Sequence, residues 1–101
     1  MTLLELVEAA HHQCLALVDW DWPCFGPGQK CLILGRGEEH LGTAVLDPES
    51  MTVHAVDLAL GLWWVSEGHR ASYVSWLASQ CIQPEGREVS QGQILLALSE
   101  V

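Results

Sequence analysis

The sequence predicts an α+β fold, helix-rich, in the order α-β-β-α-α-α, with a short β-hairpin packed on a small helical core. Three observations lead there. A capping pattern and helix-type apolar spacing open the chain. Two short apolar runs then flank a glycine-bearing polar turn, as in a hairpin. A long apolar stretch follows an Asp-Pro-Glu start. The 101 residues are read as a single domain, 1–101.

The first helix rests on Thr2 as N-cap, with Glu5 three residues on to complete a capping box. Leu4, Val7, His11, Cys14 and Val18 recur at helical spacing, and Leu3 and Leu15 widen the stripe. Pro23 and the run Phe25-Gly26-Pro27-Gly28 stop any helix, so Trp20 to Lys30 reads as an aromatic-rich loop. Cys31–Leu34 and Leu41–Leu46 are the two hairpin strands, joined through Gly35–His40. A lone hairpin is marginal in water and must pack on the helices.

Asp47-Pro48-Glu49 suits a helix start: an N-cap, a proline at the first helical position and an acid in the first turn. Met51, Ala55, Leu58, Leu62 and Val65 then follow helical spacing, while Val56, Leu60, Trp63 and Trp64 lie on other faces. A helix apolar all round is a buried one. A strand over Thr52–Val65 competes, because Val and Trp favour strands, but the helix is the preferred reading. Gly68 marks a C-cap or kink, and a further helix runs from about His69 to Cys81, with Tyr73, Val74, Leu77, Ala78 and Cys81 on one face. Pro84-Glu85-Gly86 ends it. Ser90 caps the last helix, with Val89 and Ile94 at staple positions and Ile94, Leu95 and Leu98 as its stripe.

Composition excludes several functions. Half of the residues are hydrophobic and only 17% are charged, too apolar for a disordered acidic tail. Thirteen acids face four bases, Lys30, Arg36, Arg70 and Arg87, for a net charge of −9. That opposes a grip on phosphate backbones, so direct nucleic-acid binding is not expected. The N-terminus lacks the basic region of a secretory signal, and the longest apolar run, Leu58–Val65, is far short of the roughly 18 residues of a membrane span. A cytoplasmic protein without membrane contact is expected. There Cys14, Cys24, Cys31 and Cys81 stay free thiols.

No catalytic residues are assigned, and an enzyme is not the favoured reading. Cys14 beside His11 has apolar and acidic neighbours, which raise a thiol's pKa rather than activate it. Gly35-Arg36-Gly37 is followed by Glu38 and Glu39, which would repel phosphate. No cofactor and no metal are expected. The residues that could form a metal site, His11, Cys14, Cys24 and Cys31, have a spacing that lacks the tight Cys pairs of structural zinc, and a core role is preferred for them.

Five tryptophans in so short a chain are the most unusual feature. Trp63 and Trp64, adjacent in a helix, would sit about 100° apart and could not share one core. Trp20, Trp22, Phe25, Trp63 and Trp64 are therefore taken as the residues that meet a partner or ligand. The first functional expectation is a small acidic protein–protein interaction module, a homodimer whose charge also suits a basic protein partner. An inhibitor or accessory protein of bacterial, phage or mobile-element origin would fit it. The alternative is a small-molecule binder with a Trp-lined apolar pocket, His54 or His69 supplying polar contacts. The second alternative is a structural metal-binding protein.

Overall fold

The computed structural model describes residues 1–20, 29–81 and 86–100, with only the backbone of Trp20. Helix α1 (Leu3–His12) leads into strands β1 (Ala16–Trp20), β2 (Lys30–Arg36), β3 (Glu39–Asp47), β4 (Thr52–Leu58) and β5 (Leu62–Val65). A 3₁₀ turn (Glu67–His69) opens helix α2 (Arg70–Ser79), and the short strand β6 (Arg87–Glu88) precedes helix α3 (Gln91–Leu98). The strands form one six-stranded sheet in chain order. Neighbours are antiparallel from β1 to β5, and β6 lies parallel to β5.

This overturns the expected helix-rich fold: the sheet dominates, and helices cover its two faces. The stretch read as a buried helix is two strands, β4 and β5, folded back at Gly61, whose φ of +83° suits glycine. Its apolar character on all sides is real, but it comes from burial on both faces of a sheet. Asp47-Pro48-Glu49 starts no helix. It lies between β3 and β4, where the Asp47 carboxylate accepts from the Glu49 N–H at 2.9 Å.

The opening helix also differs. Its capping box is present, with the Thr2 hydroxyl accepting from the Glu5 N–H and the Glu5 carboxylate accepting from the Thr2 N–H. Those bonds to Thr2 also hold the Glu5 carboxyl below its ordinary pKa. The helix ends at His12, however, and Cys14 turns the chain with φ +56°. Val18, expected at the end of the helical stripe, lies in β1. The buried face is Leu6 and Ala10, while Leu4 stands 65% exposed.

The hairpin, α2 and α3 form close to where the sequence places them. Gly37, at φ +62°, makes the turn between β2 and β3. Ser90 and Gln93 form a second capping box, and Val89 and Ile94 are both buried beside it.

Alternation along the strands divides the core in two. On one face, Leu34, Ala44, Val53, Val56, Leu58 and Trp64 pack against Leu6 and Ala10 of α1 and Ile94, Ala97 and Leu98 of α3. On the other, Cys31, Val45, Ala55, Trp63 and Val65 meet Tyr73, Leu77 and Trp76 of α2. Trp63 and Trp64 are neighbours in a strand, so they enter opposite layers and both are buried. Among the described residues, no helix is long and apolar enough to cross a membrane.

Candidate functional site

The site follows from the register of the α2 side of the sheet. Antiparallel pairing sets Cys31 opposite Val45 and Val45 opposite Ala55, which faces Val65. One row along, Val18, Ile33, Thr43, Asp57 and Trp63 lie in line across five strands. Helix α2 has ten residues and presents Tyr73, Trp76 and Leu77, at i, i+3 and i+4, to this surface. Among the described residues, a single short helix leaves part of a five-strand face uncovered. Beside α2 lies a hollow of about 370 Å³, with Ile33, Val45, Ala55 and Leu77 among its apolar walls. Cys31, His40, Thr43, Asp57 and Tyr73 bring polar atoms to it.

Those polar groups have defined surroundings. The His40 Nε2 lies 2.9 Å from the Gly42 carbonyl oxygen and 3.2 Å from the Thr43 hydroxyl. A carbonyl only accepts, so Nε2 carries a proton. Burial pushes the Tyr73 phenol up to about 12, helped by the charge of Asp57 and by Cys31. The phenol therefore stays protonated at neutral pH. Tyr73 stacks near Trp76, with ring centroids 6.5 Å apart and planes at 27°, and its ring lies 5.9 Å from that of Trp63, tilted by 38°. The buried indole N–H of Trp63 has no hydrogen-bond partner among the described residues.

A second, shallower groove of about 320 Å³ adjoins the hollow and shares Ile33 and His40 with it. Ala16 and Val18 of β1 line it, together with Glu38 and Glu39 from the β2–β3 turn.

Of the residues singled out in the sequence, Trp63 and Trp64 are interior rather than exposed rings. Trp22, Phe25, Cys24 and the Trp20 side chain lie outside the described residues. His54 and His69 do come together, stacked at 3.6 Å with planes 15° apart. His54 Nδ1 donates to the Gln29 side-chain oxygen at 3.1 Å, and His69 Nδ1 shares a 2.8 Å hydrogen bond with the Ser66 hydroxyl. Burial and then the neighbouring His69 lower the pKa of His54. Neither histidine lines the hollow. His11 and Cys14 are exposed at the end of α1, whereas Cys31 is buried in the layer under α2. Among the described residues no group of three or more His, Cys, Asp or Glu side chains is placed to hold a metal.

Sequence reading missed Ile33, His40, Thr43, Val45, Asp57 and Trp76. The legible signal was the Tyr73, Leu77 face of α2, whose i, i+3 position is Trp76. The strand residues become neighbours only through register, which no local pattern discloses. Comparison of the chain with protein-family models, curated proteins and solved structures finds no match.

Proposed function

We propose that the protein binds a small, largely apolar organic molecule in the hollow beside α2. The observation that carries this reading is the hollow itself. Its volume, about 370 Å³, falls in the roughly 300–1,000 Å³ range of ligand pockets, and its apolar walls carry a few polar groups. This is the small-molecule alternative with a different lining: Tyr73 and Trp76 supply the aromatic walls. On this reading the protein works in the cytoplasm, where Cys14, Cys31 and Cys81 persist as thiols.

Titration with naphthylethanol, a neutral two-ring probe, followed by amide NMR, tests it. Saturable shifts confined to β2, β3, β4 and α2 are expected. Silence there at millimolar probe, or shifts spread over α1 and α3, refutes the reading.

A second reading, the homodimer, has one observation in its favour. Strand β1 pairs on one side only among the described residues, and its Val18 is 55% exposed. An open edge is a template for another strand, and pairing with its own copy would be two-fold. Sedimentation at increasing concentration tests this. A Val18→Lys change should return any dimer to monomer, and a wild-type monomer at high micromolar concentration excludes it.

A further inference from the structure

We propose that the hollow beside α2 selects a cation: a small aromatic amine whose ring lies between the sheet and α2 and whose ammonium meets Asp57. The inference rests on the reading of the hollow as a ligand site and adds the charge of its ligand.

Charge placement is the first support. All four bases of the chain stand elsewhere. Lys30 pairs with Asp19 at 3.2 Å, and Arg70 with Glu88 at 2.9 Å. Arg36 donates to the Gln13 carbonyl at 2.9 Å, and Arg87 lies in β6 at the far edge of the sheet. None of them lines the hollow or the adjoining groove. The carboxylates are arranged the other way. Asp57 lines the hollow, and Glu38 and Glu39 line the groove that shares Ile33 and His40 with it. An anionic ligand would meet the Asp57 carboxylate in the hollow and no Lys or Arg among the lining residues. A cation meets Asp57 in the hollow, with Glu38 and Glu39 in the adjoining groove, on a chain of net charge −9 that raises its local concentration.

The aromatic wall is the second support. Tyr73 and Trp76 line the hollow together with Asp57. Ring faces attract cations, Trp most strongly, within about 6 Å of the centroid. The Tyr73 phenol stays protonated because burial and Asp57 disfavour its anion. It therefore offers a hydroxyl oxygen that accepts from an ammonium without adding a full charge to the site. Carboxylate, hydroxyl and ring face together suit an ammonium on a flat apolar body better than any neutral or acidic analogue.

Three probes sharing one ring system test this: naphthylethylamine, naphthylethanol and naphthylacetate, each titrated by calorimetry at neutral pH. The amine should bind about five-fold more tightly than the alcohol at low salt, as for exposed ion pairs, and the acetate most weakly. The amine's advantage should shrink as salt rises. Asp57→Asn, at an exposed position, should abolish the amine's advantage, so that the ratio of amine to alcohol affinity falls from about five to about one. Equal binding of amine and alcohol, or no response of the amine to Asp57→Asn, overturns the charge selection while the cavity reading stands. Failure of all three probes overturns both.

Discussion

The two faces of the sheet are built from similar residues and packed to different ends. Helices α1 and α3 cover one face, and Leu6, Leu34 and Ile94 there are fully inaccessible. Among the described residues helix α2 alone serves the other, and its layer borders a hollow of about 370 Å³. The polar inventory differs in the same direction. Among the described residues the α1–α3 face buries only apolar side chains, whereas the α2 face gathers Cys31, His40, Thr43, Asp57 and Tyr73 at the hollow. The contrast shows where this small chain concentrates its stability and where it leaves room.

Large-to-small changes should separate the faces most strongly. Leu34→Ala is expected to cost about 3–5 kcal/mol, because a fully packed site relaxes little around the cavity it leaves. Leu77→Ala, on a side chain that already borders empty space, should cost about 2 kcal/mol, near the lower end of the range. Urea unfolding of both variants measures the difference. Equal losses would mean that the hollow is not open in solution.

Gly86 precedes β6 and lies against Gly61, in the turn between β4 and β5. There φ is +80°, and a Cβ would run into the Gly61 carbonyl oxygen. Gly86→Ala should therefore cost about 2–3 kcal/mol and loosen β6 from β5, since both the conformation and the contact oppose a side chain. Loss of protection at the Arg87 and Val89 N–H groups, which bond to the Gly61 and Trp63 carbonyls, reports it directly by hydrogen exchange.

Two strand alanines give the sharpest test, because the same change should have opposite signs. Ala44 is fully buried on the α1–α3 face, and Ala44→Val should overpack it at a cost of about 1–3 kcal/mol. Ala55 lines the hollow, and Ala55→Val should fill space with a strand-favouring residue and stabilise by about 0.5–1 kcal/mol. It should also weaken naphthylethanol binding. Destabilisation by Ala55→Val would remove the claimed difference between the faces.

The contrast also explains what could be read in the sequence. The Thr2–Glu5 capping box, the Ser90 cap, the β2–β3 hairpin, α2 and α3 were legible because local residues specify them. Thr2 and Glu5, Ser90 with Val89 and Ile94, and the glycine turn each do so within a few positions; the pairing of Ser90 with Gln93 came only from the structure. Segment 51–65 was not. Val53, His54, Ala55 and Val56 are all buried, because β4 is covered on both sides and a register shift against β3 leaves His54 without an opposite residue. That erases the two-residue alternation which marks a strand. Met51, Ala55, Leu58, Leu62 and Val65 then mimic helical spacing. The candidate site was half legible: Tyr73 and Leu77 belong to one helix face, but Asp57 and Thr43 reach it only across strands.

The smallest expected effect is acid sensitivity confined to the α2 side. His54 is buried and stacked on His69, which lies in the turn that opens α2, and burial holds its pKa below the ordinary 6.5. An unfolded chain takes up a proton there as pH falls past about 6.5, while the native state resists it, so this site's contribution to stability declines towards acid. His54→Asn should weaken the protein at neutral pH, and its deficit against the wild type should narrow between about pH 7.5 and pH 5.5. Hydrogen exchange should place the acid loosening in α2 first, with α1 and α3 still protected. If all three helices lose protection together, the histidine pair does not hold α2 apart from the rest, and the two faces unfold as one unit.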